Sequence, residues 1–405
     1  SVFLWLSLVF VVAVFAAIGA ATMVSKPEIV LPALGIIPVA VIVGLLIYKA
    51  RVSQAAATIV GLLLLAGLLI AGNYYPVELT AWTNDPQRTW MIILLLYAFI
   101  ASILPVNILL QPRDYISAFL LFFGLFFGYL GIAFTNPVLS APAFTGSIHP
   151  AGGPLWPMLF VTIACGAISG FHSVVASGTT SKQLSSEKDA KAVGAGAMVA
   201  EAALAVLALI TVAAGLKSGV YRELMAGGAS IGAFAAGYGN LTRPFFGGYG
   251  SLIAVTILNA FIITTLDSAT RISRYLTEEL FRVKNKYIST SIVIIFAFYL
   301  ALGSWQRIWP VFGASNQLVA TLTLLVLSAY LFSKNKKTIY TAVPAVMMFF
   351  TSGGALVWQL SSFIKSGNYL LSLIAGLLLA LALYMALLTV NYFRRHRKRE
   401  ITDAG

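Results

Sequence analysis

The chain has 405 residues, 60% of them hydrophobic and only 10% charged, with 26 Lys+Arg against 13 Asp+Glu and a formal charge of +13. Such a balance lies well outside the composition of a soluble globular domain. The charge is not a nucleic-acid signature, because the basic residues fall in short loops between apolar runs and in the tail Arg394-Arg395-His396-Arg397-Lys398-Arg399, the pattern of topology determinants and of contacts with anionic phospholipids.

The 34 glycines are spread through the apolar runs, where they allow close helix approach or helix interruption, so the spans are predicted to be helical rather than a lipid-facing barrel. Twelve spans are expected, the first five at residues 2–24, 31–49, 54–72, 89–110 and 117–134. The other seven are expected at 155–179, 190–214, 248–275, 287–302, 309–332, 339–363 and 369–393. The first run is longer than a signal-peptide core and has no basic flank before it, so no removable signal is expected; the start at Ser1, inside that run, reads as part of a longer product.

In chain order, the first chemical motif is Gln111-Pro112-Arg113-Asp114-Tyr115, placed where the fourth span leaves the membrane. Pro112 is expected to stop that helix and Asp114 to cap the next, with Arg113 facing lipid phosphate or a loop; a gate at the inner mouth is the alternative. Residues 134–154 are rich in Pro and Gly and are expected to form a structured rim rather than a continuous helix.

The segment 162–180 carries the densest set of polar residues. At helical spacing Ser169, His172, Ser173, Ser177 and Thr180 form a polar seam, while Gly166, Gly170 and Gly178 permit a break that exposes backbone groups to an ion or an anionic substrate. Gly166, Ser169, Gly170, His172, Ser173, Ser177, Gly178 and Thr179 are therefore candidates for the solute path. His172 has two open readings, a hydrogen bond across a helix pair and a proton exchanged near neutral pH. Cys165, the single cysteine, reads as a small packed side chain, and no internal disulfide or cysteine-rich metal site is possible.

Glu201 lies in an apolar run with no basic residue three or four positions away, which makes it a candidate for proton coupling together with His172. Residues 217–247 are expected to form a connecting loop or a short helix shielded from lipid. Asp267 also interrupts an apolar run. On a continuous helix it forms an i,i+4 pair with Arg271, and Thr270 lies on nearly the same face; pairing of this kind reads as a structural latch or a gate.

Asn316 and Gln317 bring two amides into the span after Trp309-Pro310. They point about 100° apart, so only Asn316 is taken as a candidate for the path.

If spans alternate and the tail is cytoplasmic, 19 of the 26 Lys+Arg lie inside and 7 outside, and both visible ends are cytoplasmic. Phosphate-binding loops, dinucleotide fingerprints, zinc-protease motifs and nucleophile elbows are absent from the sequence, and His149, His172 and His396 are scattered. Neither an enzyme nor a cofactor or metal requirement is expected, and a gradient is the economical energy source.

Four stretches together resemble the carbon starvation protein A (CstA) family of inner-membrane transporters. They are Gln111-Pro112-Arg113-Asp114-Tyr115, residues 162–180, Thr265-Leu266-Asp267-Ser268-Ala269-Thr270-Arg271 and Trp309-Pro310-Val311-Phe312-Gly313-Ala314-Ser315-Asn316-Gln317. The resemblance implies uptake of small peptides, or of pyruvate in some members, under nutrient limitation. It also implies a relation to the inverted-repeat transporters of the amino acid, polyamine and organocation class, which are LeuT-like, although no internal repeat is visible in the sequence. Family members usually carry further spans before the equivalent of Val2, with a His-His-Phe and Gly-Ala-Gly-Pro rich segment, so half of a central site is expected to come from a missing amino-terminal segment or a partner subunit.

The resulting expectation is an all-α integral membrane protein, a single transporter domain over residues 1–405 with a basic cytoplasmic tail at 394–405. It would move a small peptide, or alternatively pyruvate, by proton-coupled alternating access across a prokaryotic cytoplasmic membrane. A channel lined by the same seam and a membrane sensor are the competing classes.

Overall fold

The computed structural model describes residues 1–403 except 81, 107, 108, 150, 151, 303 and 304; the side chains of 164, 305, 307, 390 and 392–403 are also outside the described set. The side chains of the basic tail at 394–405 therefore lie outside the described residues.

Among the described residues the elements are helical apart from one short strand pair. In order they are α1 (Val2–Ser25), α2 (Val30–Tyr48), α3 (Gln54–Tyr74), α4 (Pro86–Ile103) and α5 (Leu110–Thr135), then β1 (Ile148–His149) and β2 (Gly153–Pro154). Next come α6 (Phe160–Ile163), α7 (Gly170–Gly178), α8 (Asp189–Ala213), α9 (Ser218–Ala226), α10 (Ser230–Leu241) and α11 (Arg243–Phe246). The chain continues through α12 (Gly250–Phe281), α13 (Lys286–Ala301), α14 (Trp305–Ser333), α15 (Ile339–Lys365) and α16 (Tyr369–Asp403).

Among the described residues ten helices are long and apolar enough to cross a membrane. Each matches one of the twelve expected spans. The two expected spans that do not qualify are 287–302, observed as the 16-residue α13, and 155–179, which is broken into a π-helical turn, α6, a 3-10 turn and α7. A spanning helix needs about 20 residues, and α13 falls short of that length.

Local chemistry sets the ends of these helices. Asp85 caps α4 by accepting a hydrogen bond from the Arg88 amide at 2.9 Å, and Pro86 occupies the first helical turn, where its missing N–H is not needed. The same helix was expected to run to residue 110 but stops at Ile103. Leu104 precedes Pro105 and adopts an extended conformation, φ −67° and ψ 150°, as the residue before a proline prefers.

The chain resolves into two compact units interleaved in sequence. Unit 1 comprises residues 1–10, 145–194 and 303–405; unit 2 comprises 11–144 and 195–302. In unit 1, α14 packs on α15, on α7 and on the broken segment before it, and α15 packs on α16. In unit 2, α12 is the central helix, packed on α4, α5, α10 and α13, and α2 packs on α3. Seventeen residues of α12 are buried, among them Asn259, Asp267, Thr270, Arg271 and Arg274.

The Pro/Gly stretch after α5 begins at Asn136, whose φ of 39° ends the helix in the left-handed conformation. Ser140 then donates to the carbonyls of Ala213 and Leu216 and accepts from the Ser218 hydroxyl at 2.5 Å, pinning the rim to the end of α8. The following segment, expected as a loop or shielded helix, forms α9, α10 and α11; α10 buries Ala233, Ala235, Gly237, Tyr238 and Leu241.

Candidate functional site

Two polar centres emerge, one in each unit. The centre in unit 1 is the break between α6 and α7. The helix breaks where Ala164-Cys165-Gly166 tightens into a 3-10 turn, and it resumes at Gly170, with Ser169 extended at φ −119°, ψ 117°.

Asn316 on α14 supplies the partner that the break lacks. Its Oδ1 accepts from the Phe171 amide at 2.7 Å and from the Ser169 hydroxyl at 3.4 Å; its Nδ2 lies 3.4 Å from Cys165 Sγ. Gln317, one residue on, donates through Nε2 to the Phe160 carbonyl at 2.6 Å, on the other side of the break. The Trp309 indole donates to the Thr162 carbonyl at 3.1 Å.

Both amides of α14 therefore serve the same broken segment, although they point apart on the helix, because the segment itself turns around them. Sequence reasoning kept only Asn316. The close approach is made possible by Gly170: a Cβ there would lie 2.3 Å from the Asn316 carbonyl oxygen and from the Ala320 nitrogen, inside any tolerated contact.

Of the predicted seam, Ser169, Gly170, Ser173 and Asn316 come together. The Ser169 hydroxyl accepts from the His172 amide at 3.4 Å, as an N-cap, and Ser173 shares a 3.0 Å hydrogen bond with Thr323 of α14. Gly166 lies in the 3-10 turn. His172 and Ser177 are exposed, and Ser177 bonds the Val174 carbonyl. Gly178 ends α7, and the Thr179 hydroxyl donates to the Val175 carbonyl. The continuous seam is thus corrected to a short cluster at the break, since the serines farther along satisfy themselves on their own helix.

The centre in unit 2 surrounds Asp267. Its Oδ2 accepts from the Tyr97 hydroxyl at 2.7 Å and is ion-paired with Arg113 Nη1, which also donates to the Tyr97 oxygen at 2.6 Å. Asp267 and Arg113 are both 0% exposed. Arg113 Nη2 reaches Asp114, whose side chain is 46% exposed, at 3.1 Å. The result is a closed triad of carboxylate, phenol and guanidinium on three helices, α12, α4 and α5.

Three expectations are corrected here. Arg113 does not face lipid; it is the buried counter-ion of Asp267. Pro112 does not stop the fourth span and Asp114 is not a cap, because α5 starts at Leu110 and takes the whole motif into its first two turns, where a proline costs no intrahelical donor. Asp267 does not pair with Arg271 on its own helix.

Arg271 is instead drawn to the end of α4. Its Nη2 donates to the carbonyls of Ala101 at 2.6 Å and Leu104 at 2.5 Å. The Ala101 carbonyl would accept from residue 105 in a continuing helix, but Pro105 has no N–H, and the guanidinium takes that place. Thr270 is fully buried with an unpartnered hydroxyl. Tyr97 was missed in the sequence; a phenol within an apolar span gives no signal until its partners are known.

Glu201 is half-buried on α8. Two residues on, the Ala203 carbonyl accepts from the Tyr129 hydroxyl of α5 at 2.7 Å. Glu201 and His172 fall in different compact units. Among the described residues no group of three or more His, Cys, Asp or Glu could hold a metal ion.

A family model described as carbon starvation protein CstA matches residues 1–242 and 225–355. The peptide transporter CstA of Bacillus subtilis (strain 168) is 31% identical over 375 residues, covering 80% of this chain and 62% of that protein. The peptide transporter CstA of Helicobacter pylori (strain J99) is 30% identical over 390 residues, 77% of this chain and 56% of the relative. The pyruvate/proton symporter BtsT of Escherichia coli (strain K12) is 28% identical over 459 residues, 88% of this chain and 63% of the relative. The chain therefore spans less than two thirds of the length of these relatives, all of which are named as transporters rather than enzymes. No solved structure matches it.

Proposed function

The chain belongs to the carbon starvation protein CstA family, and from that premise we propose that it serves secondary active uptake of small peptides, coupled to protons, across a prokaryotic cytoplasmic membrane. The observation that carries the reading is the broken segment held open by Asn316 and Gln317. Non-helical backbone at membrane depth is tolerated only where protein shields it or a wet cavity adjoins it, and transporters use such breaks to bind solute. Exposed His172 beside the cluster and half-buried Glu201 are the candidate proton carriers. The gate assigned to Asp267 is retained with its partner changed from Arg271 to Arg113, and with Tyr97 added.

The interrupted helix supports a kinship with the LeuT-like inverted-repeat transporters, and the excess of Lys+Arg on one side supports a cytoplasmic carboxyl tail. Pyruvate is the second reading, favoured by the match of the pyruvate/proton symporter to 88% of this chain.

Uptake into proteoliposomes of the full-length protein tests both. Labelled dipeptides and pyruvate are compared with proton and sodium gradients set independently. Saturable, proton-driven dipeptide accumulation with counterflow supports the first reading and pyruvate accumulation the second; conductance far above carrier turnover would overturn both in favour of a channel.

A further inference from the structure

Sixteen buried side-chain polar atoms have no hydrogen-bond partner among the described residues, and eleven of them belong to α12 and to side chains set against it in unit 2. Buried polar groups are nearly always paired, with protein or with ordered water, so a concentration of this kind calls for an occupant. Along α12 these atoms follow one face. Thr256, Asn259, Asp267, Thr270 and Ser273 recur at helical spacing, each at most 7% exposed, with Ile263 standing where the pattern would place one more.

That one apolar step is filled from α5. Gly124 lies against Ile257 and Arg113 meets Asp267, which sets the two helices antiparallel and brings Ser117 level with Ile263. Ser117 is four residues from Arg113, on the same face of α5; it is 2% exposed and its hydroxyl has no partner. From Thr256 to Ser273 each step along the axis is then three or four residues, about 4.5–6 Å. Two O–H···O hydrogen bonds in series span about 5.5 Å, so one water bridges each step.

The hydroxyls of this face do not bond their own helix, as others nearby do. Thr264, off the face, donates to the Ala260 carbonyl, and Thr277, beyond its end, donates to the Ser273 carbonyl, each at 2.7 Å. Thr256, Thr270 and Ser273 make no such bond. Asn259 commits its Nδ2 to the Val255 carbonyl at 3.2 Å, which fixes Oδ1 as the atom left for a donor.

Each end of the seam meets a carboxylate. Glu28 belongs to the 3-10 turn Pro27–Ile29, which packs on α12, one turn before Pro32, and Pro32 borders one cavity with Thr256. Glu28 Oε2 is buried and has no partner. At the other end Arg274 lies 3.9 Å from the partly exposed Glu278. From Thr256 to Arg274 α12 rises about 27 Å, close to the roughly 30 Å of bilayer hydrocarbon. The seam is as long as the membrane is thick, and the triad lies partway along it.

We propose that this seam holds a file of water along which protons reach Asp267 from Glu28 and leave it toward Glu278. A proton arriving at Asp267 binds Oδ1, the oxygen without a partner, and leaves a neutral acid; Arg113 then has only Asp114 as counter-charge, and the tie between α5 and α12 loosens. Return of the proton to the file restores the ion pair. This path deepens the gate reading of Asp267, on which its consequence for transport rests. The charged and titratable groups beside Asp267 are Tyr97 of α4, Arg113 and Asp114 of α5, and Arg271 and Arg274 on its own helix. The ionisable side chains of α2, α3 and α13, which are Tyr48, Tyr74, Lys286, Tyr287 and Tyr299, are exposed, and Tyr238 of α10 donates to the Gly124 carbonyl.

Radiolytic footprinting reads the water without transport. The full-length protein in lipid vesicles is exposed to X-ray pulses, which turn bound water into hydroxyl radicals, and oxidised side chains are mapped by mass spectrometry. Ile263, 0% exposed but within the seam, should be oxidised several-fold more than Val43, equally buried in the apolar cluster with Ile36 and Ala57. Ser117→Val, which sets an apolar group between Asn259 and Asp267, should bring Ile263 down to the level of Val43 in a protein with wild-type thermal unfolding. Acidification should raise the infrared carbonyl band of a buried protonated carboxyl. Glu28→Gln should keep that band, and the double variant Asp267→Asn, Arg113→Met should lose it. Ile263 as unreactive as Val43, oxidation that survives Ser117→Val, or a band that survives the double variant would overturn the proposal. Oxidised Ile263 in a protein that moves no solute would uphold the water path and overturn the transport reading instead.

Discussion

Asp267 shows what a buried charge demands. An isolated carboxylate in a low-dielectric interior is heavily penalised, and here it is held by a guanidinium and a phenol from two other helices. Asp267→Asn leaves the buried Arg113 with only the half-exposed Asp114 as counter-charge and should cost up to about 3–5 kcal/mol. Tyr97→Phe keeps the ion pair and removes one hydrogen-bonded bridge, for about 1–3 kcal/mol. Thermal unfolding in detergent should therefore rank Asp267→Asn below Tyr97→Phe, and the double variant Asp267→Asn, Arg113→Met should be more stable than Asp267→Asn alone. The reverse order would show that the triad is not the anchor of these helices. The sequence made the need for a partner legible but pointed to the wrong one: Arg271 lies four residues away, whereas Arg113 is 154 positions distant and helix periodicity carries no information about it.

The fate of Arg271 belongs to the scale of the element, because it completes the end of α4. Pro105 withholds the donor that the Ala101 carbonyl needs, and Arg271 provides it across 170 positions. Arg271→Met should destabilise the protein by about 1–3 kcal/mol, and adding Pro105→Ala should recover part of that loss by restoring a backbone N–H. Absence of recovery in unfolding measurements would assign the loss to something other than the orphaned carbonyl. The break between α6 and α7 follows the same logic. Its glycines and serines were legible as a break, but the α14 side chains that fill it were not, because which face of α14 would meet it depends on tertiary packing. Asn316→Ala removes the partner of the Phe171 amide and one of the contacts on Cys165, so maleimide should label Cys165 several-fold faster than in the native chain, about the effect of losing one hydrogen bond of 1 kcal/mol. An unchanged rate would mean that the break stands without Asn316.

At the scale of the whole molecule, hydrophobic runs made ten helices legible, although the end of α4 and the start of α5 lie seven residues from where they were expected, because about 20 apolar residues in succession have few alternatives to a span. The total of twelve was not legible, since an apolar run of the same length contains both a spanning helix and the interrupted 155–178 segment, and only packing tells them apart. Burial also changes the charge argument for orientation. Arg113, Arg271 and Arg274 are buried and cannot act as surface determinants, which reduces the inside count of the twelve-span expectation from 19 to 16 against 7 outside. On the proposed assignment of Glu201 as a proton carrier, coupling is measured as a free energy between two binding events. Glu201→Gln should lower proton-driven accumulation roughly 5-fold or more, the smaller end of typical coupling free energies, while exchange of labelled for unlabelled solute at equal pH on both sides continues near the native rate. Equal loss of both modes would remove Glu201 from coupling and leave it a structural residue of α8; equal retention of both would transfer the role to His172, whose replacement should then reproduce the same split.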